Sequence, residues 1–552
     1  MAPTPGILYV TMEPKPSLST AAFHDWYNNE HGPLRLRLPF VQNGFRYRAT
    51  DLDGPGKGMH EWMAVYDLTD TQDLTRDAYM ALRGPPVQSQ RERDLRPHVD
   101  IDRRTFDLIK SWESQEFRKL EAVQAKQENV LVSVCLKLKE GVSPEELDRW
   151  YDEEHVDMLM KVPGWLRTRR FLTSPVDGKS EMEYLALHEY KPENGLGSSD
   201  EFEAATSTPW AKQMTGEKAA SLRRRVYSLY YTFGPAPRDI SVLTSADLKP
   251  WDAPAIRTKS VPSRSGGFIE SYITTADGAE LAYRLEGSPS PDVPVIVLSN
   301  AILTHWSIWD EVVAAFLSTP TGSNHRILRY QTRGRTALVG NEPVTIDLLA
   351  SDLIALLDAL RVPRVAAAVG VSLGGATVLK AAIDHPDRIA RVLCCDSNSR
   401  APATNKQAWQ DRVAMAEKEG MKSASGEAVV GKELAEVTTR RWFADSSYDG
   451  AELEKKAQAV ADMVAHNSLQ GFRKGCQALW EYDFSDKMGS FKGEKGMFLA
   501  GREDGVLPKT MKGMAESLGD GKAELVVVDG AGHLPMVERP QEVMKAIEKL
   551  LA

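Results

Sequence analysis

Cysteine is scarce in this chain of 552 residues, which holds only Cys135, Cys394, Cys395 and Cys476. Four thiols over that length make no disulfide framework and show no zinc-ligand spacing, so the fold must rest on apolar cores and no metal is expected. Adjacent Cys394 and Cys395 sit in an apolar run and read as buried free thiols. Long hydrophobic runs are missing too. Nothing approaches the roughly 18 apolar residues of a membrane span. Residues 1–14 carry neither a basic nor an apolar leader stretch, and the expectation is a soluble, cytoplasmic protein without membrane contact. Basic charge is not in excess: 68 Lys and Arg stand against 77 Asp and Glu, a formal net charge of −9. That balance offers no footing for nucleic acid. A small-molecule substrate is the expected partner, no cofactor is called for, and a homo-oligomer stays open.

What is present comes first as a duplication. Phe23 to His31 aligns with Leu147 to His155 at an offset of 124, pairing Trp26-Tyr27 with Trp150-Tyr151 and Glu30-His31 with Glu154-His155. Pro39 and Pro163 keep the same offset, as do Arg46 and Arg170. Each copy begins with a strand-like run and ends with one, around Phe106 and around Tyr227 to Tyr231. The order strand, helix, strand, strand, helix, strand is the ferredoxin-like α+β arrangement. His31 and His155 fall near a helix C-terminus, where an imidazole can bond the last carbonyls. Trp26 and Trp150 read as packing residues.

The first copy, with Trp26-Tyr27 and Glu30-His31-Gly32-Pro33-Leu34, resembles the EthD-like branch of the dimeric α+β barrel superfamily. The second departs, reading Glu154-His155-Val156-Asp157-Met158. The resemblance implies two repeats, 1–115 and 129–234, forming a pseudo-dimer within one chain. It also implies a possible N-terminal site in which His31 or His155 transfers a proton beside Glu30 or Glu154. Residues 111–128, rich in helix formers and charge, suggest a connecting helix.

Proline and glycine then accumulate over 235–266, which reads as an interdomain linker. From residue 267 the texture changes. A hairpin at Asp277-Gly278 precedes apolar runs at Val293 to Leu298, Arg326 to Tyr330, Val365 to Val369, Val392 to Cys395, Met497 to Ala500 and Glu524 to Val528. Helical segments separate most of them, so a mostly parallel sheet covered on both faces is expected, with its active site at the strands' C-terminal ends. Three such ends carry Ser372 in Gly370-Val371-Ser372-Leu373-Gly374, Asp504, and His533. Order and context are those of a Ser-Asp-His hydrolase triad. Asp396 is the reserve acid.

Residues 267–552 resemble the α/β hydrolases, and among them the 3-oxoadipate enol-lactonase group. The likeness rests on the triad motifs, on Arg441-Trp442-Phe443, and on Gly471-Phe472 through Cys476. Where the group commonly has Asp-Thr-Arg-Gly-His-Gly this chain has Gln331 to Thr336, and its oxyanion loop reads Ser299-Asn300-Ala301-Ile302-Leu303. The resemblance implies oxyanion donors at Leu373 and Ala301, a helical cap at about 397–490, and a lactone or ester of a small acidic or aromatic metabolite as substrate. Trp306, His305 and Arg473 are candidates for the pocket. A bifunctional chain whose repeats isomerise or cyclise an intermediate, and carbon–carbon bond hydrolysis by the same triad, are the alternatives.

Overall fold

The computed structural model describes residues 2–120, 129–178, 181–264 and 266–552. They fall into two compact units, Met1–Asp239 and Ile240–Ala552.

The first unit is a closed eight-stranded antiparallel barrel of β1 (Gly6–Pro14), β2 (Val41–Ala49), β3 (Trp62–Leu68), β4 (Val99–Glu113), β5 (Val130–Leu138), β6 (Trp165–Thr173), β7 (Tyr184–Tyr190) and β8 (Ala219–Thr232). Around the barrel the order is β1-β3-β2-β8-β5-β7-β6-β4. Each copy therefore contributes four neighbouring strands, and the copies join edge to edge along β2–β8 and β4–β6. Closure leaves neither copy an unpaired edge. Side chains alternate across the wall: Ile7, Tyr9, Phe45, Met63, Phe106 and Leu187 fill the interior, while Val132, Leu136, Trp165 and Ala186 on the outer face pack against helical residues such as Leu147, Trp150 and Leu159.

The duplication extends to backbone detail. The helix Thr20–Trp26 runs into one π-helical turn, Tyr27–His31, and Pro144–Trp150 runs into Tyr151–His155 in the same way. Trp26 and Trp150 are fully buried, as a packing role requires. The connecting helix expected at 111–128 does not form over its first part: 111–113 prolong β4, 114–119 are irregular with a turn at 115–116, and 121–128 lie outside the described residues.

The second unit is a ten-stranded sheet made of β9 (Trp251–Ala253), β10 (Thr258–Val261), β11 (Phe268–Thr274), β12 (Glu280–Gly287), β13 (Val295–Ser299), β14 (Arg326–Tyr330), β15 (Ala367–Val371), β16 (Arg391–Cys395), β17 (Lys495–Gly501) and β18 (Glu524–Val528). Strands β14-β13-β15-β16-β17-β18 are parallel, and β12, β11, β10 and β9 extend the sheet antiparallel. The parallel strands β13, β14 and β15 are buried at every position, the result of helices on both faces.

The expected linker at 235–266 is therefore partly sheet, since β9 and β10 lie within it and Ile256 is buried. An edge position explains the difference. Edge strands tolerate proline, so Pro254 and Pro262 interrupt short strands without costing ladder bonds in the sheet's centre. Among the described residues no helix is long and apolar enough to cross a membrane.

Candidate active site

The chain reverses strand order at β13, with β14 on one side and β15 on the other. Such a switch point opens a crevice at the strands' C-terminal ends, and the loops after β13, β15, β16, β17 and β18 all emerge there. Ser372 stands between β15 and the helix Leu373–Asp384 with φ 56° and ψ −119°. That conformation is strained for a residue with a side chain. It is held by Ser372 N–H donating to the Cys395 carbonyl at 3.0 Å and by Ser397 Oγ donating to the Ser372 carbonyl at 2.7 Å. The flanking glycines allow the turn: a Cβ on Gly370 would lie 2.2 Å from the Gly374 carbonyl oxygen, and one on Gly374 would lie 2.5 Å from the Ser299 backbone.

His533 Nδ1 lies 2.6 Å from Asp504 Oδ2. The histidine is fixed from two further directions. Its backbone N–H donates to the Trp442 carbonyl at 2.6 Å, and the Trp442 ring stacks on it at 5.7 Å. Glu538 then ties the His533 loop to the segment after Trp442, accepting from Gly532 N–H at 2.7 Å, Ala444 N–H at 2.8 Å and Ser447 Oγ at 2.7 Å. Sequence reasoning finds neither Trp442 nor Glu538 in this role. Trp442 is visible there only as part of the Arg-Trp-Phe piece, and Glu538 carries no signal at all.

Asp396, the reserve acid, is not the histidine's partner. It is fully buried at φ 42° behind Asp504, where its Oδ1 accepts from Gly501 N–H at 2.8 Å. Its Oδ2 finds no hydrogen-bond partner among the described residues, and the Asp504 carboxyl is its strongest charged neighbour. Two neighbouring carboxyls in a buried site do not both ionise. Burial, followed by the Asp504 charge, pushes Asp396 well above the usual carboxylate range. Burial works the same way on Asp504, yet the His533 imidazole and the Asp396 proton hold it below that range. Asp396 is thus the acid and Asp504 the carboxylate.

Protonation of Asp396 makes stability depend on pH. Below about pH 4 both native and unfolded Asp396 carry the proton. As pH rises only the unfolded chain loses it, so this residue's contribution falls with pH until the native group ionises. Asp396→Asn keeps one donor and one acceptor in place. It should flatten the stability profile between pH 5 and 8 and raise stability at the upper end, measured by urea unfolding. A profile as steep as wild type would count against the protonated assignment.

Ala301, after β13, is buried, and Leu373 is the first residue of its helix, where N–H groups have no intrahelical acceptor. In the adjoining loop Leu303 adopts φ 64°, and its carbonyl accepts from Asn467 Nδ2 at 2.8 Å and Arg335 Nη1 at 3.4 Å. Burial alone draws Arg335 down to about 10. This arginine, one of the departures at 331–336, is therefore part of what shapes the loop. The cap supplies the helices Asn405–Glu419, Lys432–Trp442, Ala451–Ala465 and Leu469–Gly475. Gly475 permits a close approach to the 331–336 loop, since a Cβ on Gly334 would come 2.7 Å from its Cα.

Of the pocket candidates, Arg473 is placed differently from expectation. Arg473 is paired with Glu417 at 3.3 Å on the cap, in a groove lined by cap residues such as Gln410, Gln477 and Trp480 that includes none of Ser372, Asp504 and His533. Residues 469–475 are helical, and their turn directs Arg473 towards the neighbouring helix. His305 caps the turn Trp306–Trp309, its ring nitrogen accepting from Ser307 N–H at 3.2 Å, and Trp306 is buried.

In the barrel, His31 and His155 do not bond the last carbonyls of their own helices as expected, because the helix continues past each as Gly32–Leu36 and Val156–Leu159. His31 Nδ1 meets Glu92 Oε1 at 2.9 Å and His155 Nδ1 meets the Ala205 carbonyl at 3.2 Å. Burial draws both imidazoles down to about 4, and burial pushes Glu30 up to about 7 against the pull of Arg91. Glu154 accepts from Thr208 Oγ1 at 2.7 Å.

Residues 296–546 match the Alpha/beta hydrolase family. The 3-oxoadipate enol-lactonase 2 of Acinetobacter baylyi is 29% identical over 289 residues, covering 50% of this chain and 95% of that protein. Its enol-lactonase 1 is 28% identical over 276 residues, covering 50% and 93%. Among solved structures, the enol-lactonase from Burkholderia xenovorans is 28% identical with a TM-score of 0.44, covering 51% of this chain and 99% of its own.

Proposed function

We propose that the α/β hydrolase formed by the C-terminal half of this chain, which makes the protein a hydrolase, is a serine lactonase or esterase acting through Ser372, His533 and Asp504. The observation that carries the reading is the strained Ser372 turn at the same end of the sheet as the 2.6 Å His533–Asp504 contact. A serine hydroxyl is a poor nucleophile until a base takes its proton. His533 takes it while Asp504, kept ionised by its partners, holds the imidazole tautomer and stabilises the imidazolium. The tetrahedral oxyanion is received by the N–H groups of Leu373 and Ala301, one such donor being worth about 3 kcal/mol in the transition state. Collapse expels the alcohol, or the enol of an opened lactone. Water activated by His533 then releases the acid from acyl-Ser372.

The substrate class, a lactone or ester of a small acidic or aromatic metabolite, takes its support from the two Acinetobacter relatives. The barrel is read as an EthD-like pseudo-dimer of repeats at 1–115 and 129–234, supported by the offset of 124 that holds from the first strand of each copy through the second and by the two inter-copy seams. A fluorophosphonate should label wild type at Ser372 and leave Ser372→Ala unlabelled. Turnover of a panel of lactones, aryl esters and β-diketones should favour a lactone or ester. Labelling of the alanine variant would remove the nucleophile assignment, and preference for a β-diketone would move the activity to carbon–carbon cleavage.

A further inference from the structure

Two corresponding arginines of the barrel keep different company. In the second copy Arg170, on β6, has Nη2 2.8 Å from Asp148 Oδ1 in an ion pair and lies 4.1 Å over the Tyr151 ring. One turn on, Asp152 pairs with Lys110 at 3.0 Å. At the offset of 124, Arg170 corresponds to Arg46, and Asp148 and Asp152 correspond to His24 and Asn28. Both acids of one copy are uncharged residues in the other.

Arg46 is nonetheless fully buried. Its Nη1 donates to Asn28 Oδ1 at 2.8 Å and to His24 Nδ1 at 3.0 Å. Burial, with Arg46 and Arg48 nearby, draws His24 down to about 2, so its ring is neutral and accepts. Asp239 stands one residue removed, its Oδ2 accepting from Asn28 Nδ2 at 2.6 Å. The other edge of the guanidinium, Nε and Nη2, is buried without an acceptor among the described residues. That edge is the fork that takes a carboxylate by two parallel hydrogen bonds, and in the second copy the Nη2 of this edge is the one paired with Asp148. Around Arg46 stand the rings of Phe23, Tyr27, Trp62 and Tyr230, at 4.7–5.4 Å from its central carbon.

A buried cation whose best donors meet no acceptor is costly to keep, and a sequence has simple ways to relieve it, as its own second copy demonstrates. We propose that Arg46 anchors a binding site for a small planar carboxylate, an aromatic or unsaturated acid, whose two oxygens accept from Nε and Nη2 and whose body lies among the cage rings. Tyr230 is 40% exposed whereas Trp62 is 5% and Phe23 0%, so the way in passes Tyr230. That residue comes from β8, across the β2–β8 seam, and the site needs both copies. Ester or lactone hydrolysis releases an acid of this class, but the binding proposal stands without the hydrolase assignment.

The test is a titration of the full-length protein with sodium benzoate at constant ionic strength, monitored by tryptophan fluorescence. A saturable change in the range of roughly 0.1–5 mM is expected, with sodium phosphate and chloride failing to compete. His24→Asp restores the acid of the second copy as an internal competitor, and it should weaken benzoate at least about tenfold while raising the melting temperature. Arg46→Lys retains the charge without the fork and should weaken benzoate by a similar factor; it decides alone if His24→Asp does not fold. The proposal is overturned if wild type gives no saturable change, if either folded variant binds benzoate as wild type does, or if phosphate or chloride competes equally.

Discussion

Ser372→Gly should abolish turnover and make the protein more stable than Ser372→Ala. Removing the hydroxyl costs a serine hydrolase on the order of 10⁴–10⁶ in kcat, and that loss is common to both variants. They differ in backbone strain. At φ 56° and ψ −119° any side chain is disfavoured, at a cost of order 1–3 kcal/mol, and glycine is not. Against this, glycine gives the unfolded chain freedom worth roughly 0.5–1 kcal/mol. The net expectation is that glycine exceeds alanine by about 1 kcal/mol in urea unfolding, with an unchanged denaturant slope. A glycine variant less stable than the alanine one would mean that the turn stores no strain. The elbow would then need another explanation for its bare flanks at Gly370 and Gly374.

The second large effect is expected from acid, and it falls on the barrel. His24, His31, His155 and His188 are drawn by burial to about 2, 4, 4 and 3, so each stays neutral in the native barrel. Below about pH 6.5 the unfolded chain binds these protons and the native one does not. Stability therefore falls as pH drops, by up to about 1.4 kcal/mol per pH unit for each histidine until its native value is reached. Glu30 opposes this. Its value of about 7 lets the native state hold a proton that the unfolded chain releases, so its contribution grows as pH falls from 7 towards 4.5. Four histidines outweigh one glutamate, and the barrel should lose roughly 3–6 kcal/mol between pH 7 and 5. Peptide-resolved hydrogen exchange, corrected for intrinsic rates, separates barrel amides from hydrolase amides. His155→Gln should make the slope shallower by one proton. Barrel protection that stays level from pH 7 to 5 would show that the four imidazoles titrate as they do in the unfolded chain.

Much of this is legible in the sequence because it is local. Apolar runs of four to six residues between helical segments report strands, and Arg326–Tyr330, buried throughout, and Glu524–Val528, a partly exposed edge strand, are observed where the runs put them. The helix at Ile346–Ala359, capped by Thr345, is as clear. Repetition at a constant offset carries the second copy's elements down to the π-helical turn. Composition alone misleads. The Pro/Gly-rich stretch after residue 235 contains strands because an edge needs few ladder bonds, and residues 111–113 extend β4 because β6 offers them a partner across the seam.

By itself the sequence determined the alternation of strands and helices, the duplication, and the order of Ser372, Asp504 and His533, since each depends on neighbours along the chain. Only the tertiary structure decided which of two aspartates meets the imidazole, that Trp442 and Glu538 hold it in place, that Arg473 turns to Glu417, and that Arg46 keeps two donors without an acceptor among the described residues while Arg170 forms an ion pair with Asp148. These depend on distances between residues far apart in the chain and on how completely water is excluded around them. Neither quantity is encoded in spacing.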